Sequence, residues 1–231
     1  MLEITEVEEL IISLINLGYY PDYVIIDQGY IPFFNTTLSR LYLRKGSHVI
    51  IVPAGYELFA INYYKLKTIA EKISFKVFLS YSRADLQLAY KIQKILTEAG
   101  IYVYFAELYP EPGVTLWEKI KGMIQNSDVV IVLWTKNAKN SAFVNQELGC
   151  AEGLKKLIIP LVEQGVAPKG LLVGREYIPY RRGRDVESFS MLCNALYNFL
   201  LRKLEEQKKR LTTILGIAIS ILVLVAFLAA F

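Results

Sequence analysis

The sequence predicts an α/β protein built on a parallel sheet, and three observations carry that prediction. Val129–Trp134 is a continuous apolar run rich in β-branched residues, the pattern of a strand buried on both faces. From residue 75 onward, short apolar runs alternate with stretches of helical periodicity, as in right-handed βαβ units. Helix-start and helix-stop residues fall between those stretches, at Asp85, Gly100, Thr115 and Ser141, where each element needs a boundary.

Residues 1–73 read as a small α+β module of their own. A helical stripe of Val7, Leu10, Ile11 and Leu14 is stopped by Gly18 and Pro21. Short apolar runs follow at 23–26, 41–43 and 48–52, punctuated by Gly29, Pro32, Gly46, Pro53 and Gly55. A second helix is expected over 64–73. The module is rich in tyrosine, which fits a small, partly exposed core, and it carries no recognisable chemistry.

The regular part begins with FKVFLSY at 75–81 as a strand. Asp85 is placed to cap a helix whose apolar positions are Leu88, Ile92, Ile95 and Ala99, with Gly100 as its stop. IYVYF at 101–105 is the second strand. A loop over 106–114 holds two prolines and Gly113. Thr115 and Glu118 have the spacing of a capping box for a helix through Trp117, Ile120 and Ile124. The third strand is Val129–Trp134, a polar loop follows over 135–140, and a helix begins near Ser141. LIIPLV at 157–162 is a fourth buried strand, a fifth is expected within 171–178, and a last helix runs from Val186 to about Lys203 or on into the uncharged segment that ends the chain.

The end of the chain is of another kind. The chain has 231 residues, 54% of them hydrophobic, and a mean hydropathy of +0.33, with much of the excess in 211–231, which holds no charge. A helix of that length spans roughly 30 Å, the thickness of a bilayer's hydrocarbon. Arg202, Lys203, Lys208, Lys209 and Arg210 precede it, and the positive-inside rule then keeps the preceding domains in the cytoplasm. The sequence therefore predicts a single-pass C-terminal membrane anchor over 211–231 behind a basic segment at 204–210. No signal peptide is visible, since the N-terminus is acidic.

Charge and composition exclude several classes. The formal charge is +4, and the basic residues, with Arg181, Arg182 and Arg184 counted among them, suit anionic lipid headgroups better than nucleic acid. Cys150 and Cys193 are two cysteines, without a disulfide framework. His48 is the single histidine, which argues against a histidine metal site or a serine triad. The turn after the first strand of the sheet is Ser82-Arg83-Ala84-Asp85, not the glycine-rich turn of a dinucleotide-binding fold, and no P-loop is present. A phospho-receiver domain needs an aspartate at the end of its third strand, where this chain has Trp134 and Thr135.

Chemistry is expected around the third strand. Ligands of parallel sheets bind outside the carboxyl ends of strands, which is where the loop at 135–140 and the following helix start lie. On that helix Phe143 and Glu147 sit one turn apart on one face. The bland readings are a solvated glutamate, a core phenylalanine and a buried thiol at Cys150, with Trp117 as packing and Asp128 as a capping residue.

At these residues the chain resembles the TIR (Toll/interleukin-1 receptor) domain, over about 75–201. FLSYSRAD at 78–85 looks like the first box of that family. The loop at 106–114 is similar to its BB loop, SDVVIVLWT at 127–135 to its third-strand box, and SAFVNQELGCA with LIIPLV to the helix and strand that follow. The resemblance implies a flavodoxin-like, five-stranded parallel sheet over 74–203. It also implies two roles. Some members cleave the bond between nicotinamide and ribose in NAD+, and others are assembly modules. In catalytic members a glutamate on the helix after the third strand is essential, and here Glu147 occupies that position. Phe78, Tyr81, Ser82, Arg83 and Phe143 are the implied substrate-binding residues, and Pro110, Pro112 and Gly113 the interaction loop.

Two departures from the family pattern stand out. Where catalytic members often carry a tryptophan four residues before the glutamate, this chain has Phe143. Where some place an arginine after the aromatic of the first box, it has Ser82, followed by Arg83. The expected function is a membrane-anchored NAD+ glycohydrolase of signalling or defence. Its partners would be NAD+, other copies or other TIR domains, and membrane lipids, with no nucleic acid, no metal and no cofactor beyond NAD+ as substrate. The alternative is a non-catalytic TIR scaffold that self-associates through the loop.

Overall fold

The computed structural model describes residues 21–26, 29–32, 49–53, 57–105 and 115–229, with side chains at 58–105 and 115–220. The expected helix over 6–17 and the run at 41–43 lie outside the described residues. Three strands, β1 (Pro21–Ile26), β2 (Gly29–Pro32) and β3 (Val49–Pro53), form an antiparallel sheet in the order β2-β1-β3. A helix, α1 (Glu57–Ala70), follows. It starts seven residues before the sequence expectation, because Phe59, Tyr63, Leu66, Ile69 and Ala70 already form a stripe at helical spacing that packs into a larger core.

The main sheet has five strands: β4 (Lys76–Ser80), β5 (Tyr102–Tyr104), β6 (Val129–Trp134), β7 (Leu157–Glu163) and β8 (Ile178–Tyr180). All pairings are parallel and the order is β5-β4-β6-β7-β8. The chain leaves β4 for β5 on one side and returns to β6 on the other. The carboxyl end of β4 is therefore a topological switch point, where open α/β sheets hold ligands.

The two faces of the sheet explain the strand sequences. In β6, Val129, Ile131 and Leu133 join one apolar cluster, while Val130, Val132 and Trp134 join another. Successive side chains of a strand point to opposite faces, and both faces here are covered, so all six residues are fully buried. The first face carries α1, α2 (Leu86–Glu98) and α5 (Asp185–Ala229). The second carries α3 (Leu116–Asn126) and α4 (Ala142–Gly153). The helix that closes the 1–73 module thus shares the core of the domain that follows, and its buried Asn62 donates to the Ser190 hydroxyl and carbonyl on α5 at 3.0 and 3.3 Å.

The helix boundaries follow their signals. The Thr115–Glu118 capping box forms in full, and Ser141 caps α4 by accepting from the Val144 N–H. Gly100 ends α2 with φ +87°, a conformation that suits glycine. Asp85 stands at the start of α2 but makes no cap hydrogen bond. Its carboxylate is turned inward instead, where it accepts from Thr135 Oγ1 at 2.5 Å, Asn137 Nδ2 at 3.0 Å and Arg182 Nη2 at 3.0 Å. The fifth strand begins where it was expected to end, because 170–172 form a 3-10 turn. Asp128 caps no helix; it accepts from the Lys76 N–H at 2.9 Å and pairs with Lys203.

Those last contacts set the direction of α5. Its first residue, Asp185, accepts from the Tyr180 hydroxyl at the carboxyl end of β8. Lys203 reaches Asp128, just before β6, and lies 5.7 Å over the ring of Phe75, just before β4. Eighteen residues at 1.5 Å rise carry the helix roughly 27 Å antiparallel to the strands. Arg181, Arg182 and Arg184 therefore lie at the opposite end of the sheet from 202–210, so the basic residues counted together from the sequence fall into two separate groups. Arg182 is engaged there by Glu163 at 2.5 Å as well as by Asp85.

Beyond Lys203, α5 continues as one helix to Ala229. Among the described residues no helix is long and apolar enough to cross a membrane, so the expected transmembrane helix is not supported there. The uncharged side chains described, 211–220, cover roughly 15 Å of helix, half of what a bilayer needs.

Candidate functional site

A cavity of about 320 Å³ opens at the carboxyl end of β4, between that strand and the N-terminal turns of α3 and α4. Leu79, Tyr81, Ser82 and Arg83 line it from β4 and the turn after it, Leu116 and Ile120 from α3, and Ser141, Phe143 and Glu147 from α4. Its volume is near the lower end of the range of about 300–1,000 Å³ for small-molecule sites.

Glu147 lies in the wall of this cavity with 7% of its surface exposed. Three neighbours on its helix, Val144, Leu148 and Ala151, are buried against the sheet, which turns the Glu147 position inward as well. One carboxylate oxygen, Oε2, accepts from the Ser80 hydroxyl at 2.5 Å. No lysine or arginine pairs with it among the described residues. Burial raises its pKa from 4.5 to about 7, against the opposing effect of the Ser80 hydrogen bond. A carboxyl group poised near neutral pH inside a cleft is the kind of group that active sites use.

The aromatic neighbours divide into three roles. Phe143 is 60% exposed and stands at the mouth one turn before Glu147, which rules out core packing for it. Tyr81 lines the cavity while its ring stacks on Phe105 at 4.9 Å, and Phe105 in turn stacks on Tyr90 at 5.0 Å. Phe78 is a correction to the expected set. It is fully buried in the cluster beneath α3 and α4, and it supports the floor without lining the cavity. Ser82 and Arg83 both line it. Pro110, Pro112 and Gly113 lie outside the described residues.

Ser80 is the residue that the sequence reading passed over. The signal was the strand period: Phe78 faces α3 and α4, so Ser80, two residues on, must face them too. A hydroxyl at the last position of a buried strand, opposite a buried carboxylate, has a partner to meet. The thiols have no such setting. Burial pushes Cys193 up to about 12. It also raises Cys150, against the opposing charge of Lys121. Among the described residues no three His, Cys, Asp or Glu side chains come together in a metal-binding group.

Comparison with known proteins places this geometry. A family model described as TIR domain matches residues 77–193, just over half of the 231. The chain belongs to the TIR domain family. The first-box residues of this TIR domain, its third strand and the Glu147 helix all fall inside the match. No curated protein matches the chain. Among solved structures it is similar to the TIR domain of the Toll-related receptor TRR-2 of Hydra magnipapillata, at 22% identity and a TM-score of 0.44, over 54% of this chain and 96% of that one. It is also similar to the CMP N-glycosidase BcmB of Clostridium botulinum, at 19% identity and 0.39, over 51% and 97%. The TIR domains of the activated Roq1 resistosome, which recognises the effector XopQ, match at 19% identity and 0.37, over 54% and 84%. These TM-scores lie below 0.5, and membership rests on the family model.

Proposed function

We propose that this TIR domain cleaves the bond between nicotinamide and ribose in NAD+, and that the chain holds it at a membrane. The observation that carries the reading is the buried Glu147 carboxyl in the wall of a cavity of about 320 Å³ with an exposed aromatic ring lining it. Cleavage of this bond passes through an oxocarbenium-like state, which a fixed carboxylate stabilises electrostatically; water then adds to the ribosyl carbon and loses a proton, giving ADP-ribose. Nicotinamide leaves as a neutral molecule, because its ring nitrogen is already cationic in NAD+. One carboxylate therefore suffices, and no separate acid for the leaving group is required. Phe143 offers a face for the base, Tyr81 and Ser82 line the sugar's surroundings, and the Arg83 guanidinium suits the pyrophosphate.

Membrane attachment is supported by the order of elements along α5. The helix leaves the amino end of the sheet at Lys203, passes the basic residues Lys208, Lys209 and Arg210, and enters the uncharged run 211–231. Basic residues ahead of such a run attract anionic headgroups and keep the globular part in the cytoplasm. The cavity opens at the other end of the sheet, away from that surface, which suits a water-soluble substrate. In this reading the protein acts in signalling or defence by consuming NAD+ as copies gather in two dimensions.

A scaffold without catalysis is the second reading. It is favoured by Leu116 and Phe143, two apolar side chains exposed at the same cavity mouth, which suit contact with another TIR domain. Nicotinamide release from NAD+ by the full chain in lipid vesicles separates the two. Glycohydrolase activity is expected from the wild type and is expected to vanish in Glu147→Gln. A folded, clustered wild type that releases no nicotinamide would leave the scaffold.

A further inference from the structure

We propose that Ser80 is a positioning residue for the reaction, holding the Glu147 carboxylate in the orientation that catalysis uses. The inference rests on reading the cavity as a glycohydrolase site, and it adds a residue that neither the motif pattern nor the cavity lining singles out.

The geometry is specific. Ser80 is the last residue of β4 and is fully buried, and Glu147 is nearly so. Beside the apolar packing of Phe78 under the same helix, Ser80 Oγ donates to Glu147 Oε2 at 2.5 Å across 67 residues of sequence. Both groups are buried, so this hydrogen bond is made away from water, where it is electrostatically stronger than on the surface. Among the described residues Glu147 has no other hydrogen-bond partner. Its second oxygen, Oε1, is therefore left for whatever enters the cavity, while Oε2 is held.

A buried hydroxyl on a strand has an apolar alternative. The neighbours of Ser80 in the sheet are aliphatic: Val132 lies beside it in register on β6, and Leu79 precedes it. Alanine would fill the position without desolvating a polar group, so the hydroxyl is explained by its partner rather than by packing. Without that hydrogen bond, the Glu147 side chain would keep its buried place with both oxygens free to rotate.

The remaining titratable and charged groups near Glu147 act more weakly. Arg83 lines the cavity from the turn after β4. Cys150 is one turn further along α4, and Lys121 on α3 acts on the Cys150 thiol. Burial is the first influence on Glu147 and raises it, and Ser80 is the one that opposes burial. Removing the hydroxyl should therefore move the Glu147 titration upward and leave less carboxylate at neutral pH.

The test compares the full-length wild type with Ser80→Ala and Ser80→Thr by two readouts. In the first, Glu147 is followed by carbon-13 carboxyl resonance through a pH titration, assigned by its absence in Glu147→Gln. The wild-type midpoint is expected near 7, higher in Ser80→Ala, and close to wild type in Ser80→Thr, which keeps the hydroxyl. In the second, kcat for nicotinamide release is expected to fall roughly tenfold to a hundredfold in Ser80→Ala, the scale of a hydrogen bond to a charged group, with KM within about twofold, and to recover in Ser80→Thr. A Ser80→Ala midpoint equal to wild type, or full kcat without the hydroxyl, would overturn the assignment. A wild type that cleaves no NAD+ sinks the glycohydrolase reading, and the titration still decides whether Ser80 holds Glu147.

Discussion

Replacing Glu147 with glutamine should make the protein more stable at alkaline pH and no more stable in acid. In the folded protein burial raises the Glu147 pKa from 4.5 to about 7, and the unfolded chain returns it to its ordinary value. Below about 4.5 the group is protonated in both states and contributes no difference. As pH rises toward 7 the unfolded state releases the proton more readily, and folding loses stability until the folded carboxyl also ionises. At about 1.4 kcal/mol per pH unit, the charged group costs the folded state about 3 kcal/mol at pH 8 and above. Glutamine fills the same space and still accepts from the Ser80 hydroxyl, but it never carries that charge. For a chain of this length, about 3 kcal/mol corresponds to roughly 6–12 °C in Tm. Thermal unfolding of wild type and Glu147→Gln at pH 8.5 and pH 4 measures it. The difference should be present at pH 8.5 and absent at pH 4. Equal melting temperatures at pH 8.5 would refute the claim that a charged Glu147 is held in a desolvated site.

Other outcomes follow from particular contacts. Arg182→Ala should destabilise the fold by about 1–3 kcal/mol in denaturant melts, because it strips the cation from buried Asp85 and Glu163. Although burial alone would raise Glu163, Arg182 and the Lys136 N–H hold it below its ordinary range. The stability it contributes is thus present at neutral pH and lost in acid, and the Arg182→Ala penalty should shrink below about pH 4. Gly100→Ala should cost about 1 kcal/mol through its backbone alone, since φ is +87° and a methyl group would meet nothing within 4 Å. Phe143→Ala should leave the melting temperature within about 2 °C, as surface substitutions do, yet raise KM for NAD+ roughly threefold to tenfold if its ring stacks on the base. Isothermal or steady-state titration with NAD+ reads that change.

Much of the fold was legible because both faces of the sheet are covered. A strand buried on two sides must be apolar throughout, and Val129–Trp134 announces itself for that reason. The capping box at Thr115 and Glu118 was equally plain, since it is a local device complete within four residues. What sequence misassigned depends on long-range partners. Asp85 has the local credentials of a helix cap, but Thr135, Asn137 and Arg182 draw its carboxylate inward. The start of α1 was missed because its stripe includes the polar Asn62, which is satisfied only by Ser190, 128 residues away. In the cavity wall, Glu147 and Phe143 stand one turn apart, as helical spacing expects, and Ser82 and Arg83, which the resemblance implies, line it too. Strand alternation puts Phe78 and Ser80 on the same α3/α4 face, but Phe78 lies two residues deeper, under the helices, while Ser80 at the strand's end meets Glu147, and a partner 67 residues away leaves no local signal.

The most direct test of Glu147 as the catalytic carboxylate is the pH dependence of nicotinamide release from NAD+ by the full-length protein, measured as kcat/KM from pH 5 to pH 9. On the proposed glycohydrolase reading the carboxyl of the free protein must be charged to stabilise the developing cation, so kcat/KM should rise with a midpoint near the Glu147 value of about 7 and reach a plateau above it. Glu147→Gln should show no release at any pH. A profile that is flat across this range, or a variant that retains the wild-type rate, would contradict the account.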